Sequence, residues 1–256
     1  MNIRATASRS RTIRSLFHAL QMLGEYFRFR PIRFCRNIFW FLGDLLLFCK
    51  KRVTRDAVFV LQPMLEDRSE FTPVDPVYFY QDAWAARHIF RMRPSRHVDV
   101  GSSAKTIGIL SQFVPLTMVD IRPLPVTLKN LTFLKGSILK LPFQDGDVES
   151  ISSLCVVEHI GLGRYGDTID PLGTCKGIKE LMRVTKKGGT ILFSVPVNSE
   201  NTVHFNAHRS FTRNQIIEMF DLCRLKEEQY IYELTMCDSY QPDKGFGTGL
   251  FLFKKK

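Results

Sequence analysis

The chain has 256 residues, 45% of them apolar, and a formal net charge of +11 at neutral pH. That apolar content over that length supports one sizeable core and excludes a chain disordered throughout. The charge excludes more than it suggests: residues 1–55 carry 12 Lys and Arg against Glu25 and Asp44, a net +10, while residues 56–256 sum to +1. The globular part therefore lacks the basic face of a nucleic-acid-binding domain, which makes nucleic acid an unlikely partner, although the arm could make nonspecific phosphate contacts.

In chain order, residues 1–24 hold Arg4, Arg9, Arg11 and Arg14 and no acid, which fits a flexible basic arm or an organelle transit peptide. Ile38 to Cys49 is a strongly apolar run of 12 residues with Asp44 inside it, short of the roughly 20 a bilayer span needs. Arg28, Arg30, Arg33 and Arg36 precede it and Lys50, Lys51, Arg52 and Arg55 follow. This pattern points to an interfacial helix on an anionic membrane surface through residues 28–55, with packing on the following domain, a true anchor or a transit peptide as the alternatives. Residues 56–96 read as a helical bridge punctuated by Pro63, Pro73, Pro76 and Pro94, with a helix over Tyr78–Phe90. Its Tyr78, Phe79, Tyr80 and Trp84 suit either a substrate pocket or core packing.

Residues 97–256 read as the main domain. In His97-Val98-Asp99-Val100-Gly101-Ser102-Ser103 the valines favour a buried strand, Gly101 permits a sharp turn, and Ser102 or Ser103 can cap the next helix. In an open α/β sheet, a nucleotide-like cofactor sits at such a turn. Asp120 ends the next strand-like run, Pro115–Asp120, 19 residues beyond Gly101, where a carboxylate can accept bonds from both ribose hydroxyls. Further strands are predicted over Leu131–Ser137, Asp147–Leu154 and Thr190–Pro196, and near Glu228–Leu234 and Gly249–Phe253. Helices are predicted over Gly173–Thr185, ended by Lys186-Lys187-Gly188-Gly189, and from a capping box at Thr212–Gln215 through Phe220. The alternation argues for an α/β fold, a mostly parallel sheet with helices on both faces. Six scattered cysteines without a C-x-x-C pair suggest reduced, intracellular thiols rather than a zinc site or disulfide framework.

From residue 95 onward the succession resembles the class I S-adenosylmethionine-dependent methyltransferases. Val98-Asp99-Val100-Gly101 is similar to their first cofactor motif, Asp120 to the ribose acid, and Leu141-Pro142-Phe143 to the Leu-Pro-Phe after strand three. Ile151 to His159 is similar to strand four with its trailing Glu-His, and Leu181 to Phe193 to the helix, Lys-Gly-Gly turn and strand five. A closer resemblance is to an uncharacterised methyltransferase-like family described from nematodes and also found in bacteria. It is carried by Val156 to Asp167 with Asp170-Pro171, by Phe205-Asn206-Ala207-His208-Arg209, and by Gly249-Leu250-Phe251. The resemblance implies a Rossmann-like sheet of seven strands, to which the pattern of the preceding residues adds a basic helical N-terminal extension. It also implies S-adenosyl-L-methionine as cofactor, held by Asp99, Gly101, Ser102, Asp120, Ser137, Ile138 and Leu154. The chain departs from the superfamily where Gly-x-Gly-x-Gly becomes Gly101-Ser102-Ser103-Ala104-Lys105, and where Ser137 replaces the acid near adenine.

Methyl transfer from a sulfonium needs an in-line acceptor and, for a hydroxyl, a base. His159, after strand four, is the first choice as base, with Glu158 orienting its ring or binding cofactor and His208 as the other catalytic candidate. His204 and His208, at i, i+4, would share one helical face and could hold a metal, but no third ligand is evident and no metal is expected. Arg164, Tyr165 and Asp167, in a glycine-broken loop, and Asn206 and Arg209 are the substrate candidates; an arginine can fork onto an anionic group. The missing Gly-x-Gly-x-x-Gly speaks against a nicotinamide dehydrogenase, and the missing Asn/Asp-Pro-Pro-aromatic string against a nucleobase amino-methyltransferase. The expected function is methylation, with oxygen favoured, of a small polar, glycan or lipid-linked acceptor. The alternative is a non-catalytic protein of the same fold that binds membrane or a partner.

Overall fold

The computed structural model describes residues 20, 21, 23, 31–51 and 59–256. Most of the arm read over residues 1–24, and the flanking Arg28, Arg30, Arg52 and Arg55, lie outside them. The chain divides into two compact units, Met1–Pro73 and Val74–Lys256.

In the first unit, helix α1 spans Pro31–Lys50 and so extends well ahead of the apolar run. Phe34, Asn37, Ile38, Phe41 and Leu45 recur at helical spacing and form its more buried side. Asn37 Nδ2 donates to the Leu65 carbonyl at 2.6 Å, and the Arg68 guanidinium lies 5.2 Å from the Trp40 ring and 3.6 Å from Asp44. Ile32, Phe39, Leu42 and Leu46 are exposed on the other side. Among the described residues, no helix is long and apolar enough to cross a membrane.

The second unit opens with α2, Pro76–Met92. Asp75 caps it by accepting from the Val77 and Tyr78 N–H groups, Pro76 begins the first turn, and Arg93 ends it with a left-handed φ of 47°. Then follow β1 (His97–Val100), α3 (Ala104–Leu110), β2 (Leu116–Asp120), β3 (Leu131–Lys135) and β4 (Val148–Leu154). After a 3₁₀ turn at Val157–His159 come α4 (Gly173–Val184), β5 (Thr185–Val197), β6 (Thr202–His204), β7 (His208–Ser210) and α5 (Arg213–Met219). The last strands are β8 (Cys223–Tyr232), β9 (Thr235–Cys237) and β10 (Gly247–Lys255).

The main sheet has eight strands in the order β3-β2-β1-β4-β5-β10-β8-β9. The first five are parallel, and β10 runs antiparallel between β5 and β8. The sheet thus exceeds the expected seven by β9, a three-residue strand that folds back on β8 through Glu233 at φ 51°. So short a strand has no periodicity to read. Alternation along β5 sends Ile191, Phe193 and Val195 to one face and Leu192 to the other. The first face packs Ile178 and Leu181 of α4 and Ile216 of α5; the second packs Trp84 and Ile89 of α2 and Ile107 of α3.

Two local expectations change. The helix before β5 ends at Val184, and Thr185–Gly189 already belongs to the strand, with Gly188 at φ +72° beside an irregularity in the pairing with β4. At Thr212 the capping box is half made. Thr212 Oγ1 accepts from the Gln215 N–H at 3.3 Å, but Gln215 Oε1 finds no donor among the described residues.

Candidate functional site

Chain order reverses between β1 and β4, so the carboxyl ends of β1, β2 and β4 splay around a crevice. Gly101 makes the turn out of β1 at φ +72°. A Cβ there would lie 3.1 Å from Val156 Cγ1, so the position needs glycine for both conformation and space. Beneath the turn runs a buried polar chain. Asp99 accepts from the Ser102 N–H at 3.0 Å, from Ser102 Oγ at 2.6 Å and from Ser152 Oγ. Ser102 Oγ in turn accepts from the Leu154 N–H at 3.1 Å. Ser152 gives its only proton to Asp99, so it must accept from His97 Nε2, 2.9 Å away, and His97 Nδ1 then accepts from Ser150 Oγ at 2.8 Å. This fixes His97 as the neutral Nε2–H tautomer. Burial alone pushes it down to about 3, and burial pushes Asp99 up to about 6 against its three hydrogen bonds.

A cleft of about 810 Å³ opens above the turn, and a slot of about 110 Å³ adjoins it. Val100, Ile121, Ile138, Leu139 and Val156 give the slot apolar walls, with Ser137 among them. Asp120 stands where cleft and slot meet. Its Oδ1 accepts from the Arg122 N–H at 2.7 Å, while among the described residues Oδ2 has no donor and faces the Gly101 turn.

The other end of the cleft is built by the 3₁₀ turn after β4, by the β6–β7 hairpin, and by Tyr78, Pro196, Phe246 and Thr248. His159 Nδ1 lies 2.6 Å from the Ala207 carbonyl, which can only accept, so Nδ1 carries the proton and Nε2 holds a lone pair. Burial lowers the His159 basicity, partly offset by that hydrogen bond. Glu158 Oε1 is 3.7 Å from His159 Nε2, and Oε2 is buried without a hydrogen-bond partner among the described residues. Burial pushes Glu158 up to about 8, so it is protonated at neutral pH. Tyr165 sets its ring edge-on to His159 at 5.6 Å, with the Arg122 and Arg164 guanidinium groups 4.8 and 5.2 Å from its centroid.

Of the sequence candidates, Gly101, Ser102, Asp120, Leu154, Glu158, His159, Arg164, Tyr165 and His208 line the cleft, and Ser137, Ile138 and Asp167 line the slot. Asp99 does not reach either; it is fully buried and holds the turn from below. Ser102 faces inward to Asp99 and caps no helix, and Ser103, the residue at the cap of α3, makes no side-chain cap bond. Arg209 is spent on the fold. Its guanidinium reaches the Ile160 carbonyl at 2.6 Å, Thr174 Oγ1 at 3.2 Å and the Asp170 and Pro171 carbonyls, staples the loop after β4, and lines no part of the cleft. Asn206 is exposed at the hairpin tip, where its left-handed φ of 63° serves the turn. His204 and His208 face each other as cross-strand partners of that hairpin, not as neighbours on a helix.

Sequence reading passed over His97, Ser150 and Ser152, although three serines in a strand of buried pattern are a signal of internal hydrogen bonding. It also passed over Gln81, wholly buried in α2, which accepts from Ser194 Oγ at 2.6 Å and from the Cys155 thiol at 3.1 Å. That contact ties α2 to the floor of the cleft.

A family described as "Caenorhabditis protein of unknown function, DUF268" has a model that matches residues 143–223. The stretch includes the Val156–Asp167 and Phe205–Arg209 strings and stops short of Gly249–Phe251. Among solved structures, the N-methyltransferase NodS of Bradyrhizobium japonicum in complex with S-adenosyl-L-homocysteine is similar at TM-score 0.51 and 14% identity, covering 71% of this chain and 88% of that one. The 1,6-didemethyltoxoflavin-N1-methyltransferase of Burkholderia thailandensis, also bound to S-adenosylhomocysteine, reaches TM-score 0.50 at 13% identity over 70% and 84%. A putative methyltransferase of Bacillus halodurans reaches 0.51 at 13% over 69% and 99%. No curated protein matches. The fold is the Rossmann-like fold of class I methyltransferases, as the strand order requires.

Proposed function

We propose that this chain is an S-adenosyl-L-methionine-dependent methyltransferase that methylates a hydroxyl of a small polar acceptor. The observation that carries the reading is the convergence on one cleft of Asp120, whose Oδ2 has no donor among the described residues, and of His159, whose Nε2 holds a lone pair. Asp120 would accept from the ribose hydroxyls, the slot beside Ile138, Leu139 and Ser137 would take the adenine, and the Gly101 turn would let backbone approach the rest of the cofactor. The residues fit the group, because a Cβ at Gly101 would intrude on the cradle and the slot, which Asp120 also lines, offers apolar walls. When bound, the cofactor supplies an electrophilic methyl group.

The chain's own part is to align the acceptor and take its proton. His159 lines the cleft and gives its Nδ1 proton to Ala207, which leaves Nε2 as its accepting nitrogen, and its lowered basicity keeps it neutral at physiological pH. Glu158, protonated beside it, places no second negative charge next to the developing alkoxide. Glycan-linked and lipid-linked acceptors belong to the same proposal. The exposed Ile32, Phe39, Leu42 and Leu46 of α1, with Arg33, Arg36 and Lys50 on the same helix, support an anionic membrane surface as the place of action. The unpaired state of all six cysteines supports an intracellular setting.

The test is thermal unfolding of the full chain with and without S-adenosylhomocysteine, alongside Asp120→Ala. Ligand at about 100 times its Kd raises stability by about 2.7 kcal/mol, and the variant should lose that shift. An unshifted wild type at millimolar ligand would turn the reading to the non-catalytic alternative.

A further inference from the structure

The acceptor end of the cleft gathers more nitrogen donors than proton abstraction uses. Arg164 Nη1 lies 3.1 Å from the Ala207 carbonyl and 3.3 Å from His159 Nδ1. Nδ1 already carries a proton, so it offers Arg164 nothing to donate to. The Arg164 contacts to protein oxygen are confined to Nη1 among the described residues, and the rest of the fork is uncommitted at the cleft. His208 lines the same end, its ring 4.7 Å from that of His204 and 5.5 Å from Phe246. Burial, then His204 and Arg164, hold His208 below the usual imidazole range. Arg164 and His208 act in the same sense on His159, after burial.

Of the nearby carboxyl groups only Asp167 acts against this at His159, and more weakly than burial, Arg164 or His208. Glu158 is protonated, and Asp167 gives its oxygens to the Gly161 and Tyr165 N–H groups at 2.6 and 3.3 Å. N–H groups that repel one another's protons and find only a weak counter-charge are completed by an anion, whose binding forms charge-assisted hydrogen bonds.

We propose that Arg164 and His208 hold an anionic group of the acceptor, a carboxylate or a phosphate, so that the methylated molecule is a small organic anion. The word acceptor rests on the methyltransferase reading; the anion site itself does not. Arg164 forks onto two oxygens of the anion, His208 donates to a third position, and the hydroxyl of the same molecule is thereby presented to His159.

The experiment uses the full chain at fixed ionic strength with S-adenosylhomocysteine present, titrated separately with inorganic phosphate and with propionate. Histidine ring signals are followed by nuclear magnetic resonance. Saturable shifts of His208 are expected with at least one probe, and which one distinguishes a phosphoryl from a carboxyl group. Arg164→Gln should weaken that binding about tenfold or more, as loss of a hydrogen bond to a charged group implies. Arg164→Lys, which keeps charge and loses the fork, should fall between. Lys226→Gln with Lys254→Gln, on the basic patch at the opposite end of the sheet, should leave it unchanged. Shifts that never saturate, or that persist undiminished in both Arg164 variants, overturn the proposal. Failure of S-adenosylhomocysteine to bind while the anion still does would sink the cofactor reading and leave this site standing; the reverse result sinks this one alone.

Discussion

Replacing Ser152 by alanine removes one oxygen from the chain beneath the glycine turn and leaves two buried groups short. Ser152 is fully buried between His97 and Asp99, which are fully buried as well. The Asp99 carboxylate loses a hydrogen bond, worth about 1.5–3 kcal/mol to a charged group. His97 Nε2–H keeps its proton and has no acceptor, which costs about 1–3 kcal/mol more, since no water reaches it. The expected loss is about 3–5 kcal/mol, or roughly 6–20 °C in Tm for a unit of this size. Ser150→Ala serves as the comparison, because it leaves only the neutral His97 Nδ1 unpartnered and should cost about 1–3 kcal/mol, less than Ser152→Ala. Scanning calorimetry at pH 7 reads both. Ser152→Ala within about 1 kcal/mol of the parent, or no worse than Ser150→Ala, would refute the assignment of proton positions along the chain. The same variant should weaken S-adenosylhomocysteine, because Asp99 is what holds Ser102 at the turn.

Glu158 is raised from an ordinary carboxylate value to about 8 in the folded chain, so the native state binds the extra proton and stability falls as pH rises from about 4.5 to 8. Between pH 6.5 and 8 the slope is about 1.4 kcal/mol per pH unit at most, and Glu158→Gln should flatten it in pH-dependent urea titrations; an unchanged slope contradicts the buried, protonated carboxyl. His97 acts oppositely. Its depressed value withdraws stability as pH falls from about 6.5 toward 3, partly masked by Asp99, whose raised value adds stability as pH falls from about 6 to 4. Gly101→Ala forces a Cβ onto φ +72° and against Val156; about 1–2 kcal/mol of strain is expected, with a larger loss of S-adenosylhomocysteine affinity in calorimetric titration, and unimpaired binding would argue against the cradle. At Gly161 a Cβ would overlap the Asp170 carbonyl, so Gly161→Ala should expose the loop between β4 and α4 to limited proteolysis. His159→Gln should cut turnover by about 10²–10⁴-fold with the cofactor still bound, a result checked once an acceptor is in hand and contradicted by wild-type rates.

Local chemistry carried much of this protein in its sequence. Val98 and Val100 around Asp99, the glycine that must turn, Asp120 at the end of the next strand, and the Glu158-His159 pair after β4 each depend on a few adjacent residues. Their placement along a parallel sheet follows from the alternation of strand and helix. The roles that depended on distant partners were not legible. Arg209 looks like a substrate clamp until the fold brings four oxygens of residues 160–174 around its guanidinium. Asp99 looks like a cofactor ligand until Ser152, 53 residues on, seals it beneath the turn. His204 and His208 have helical spacing, and only a hairpin closed by Asn206 in the left-handed region makes them cross-strand partners beside Arg164. A side chain's type and neighbours determine which bonds it can form, but burial and the partners that arrive from elsewhere in the chain decide which it does form, and so whether it serves the fold or the cleft.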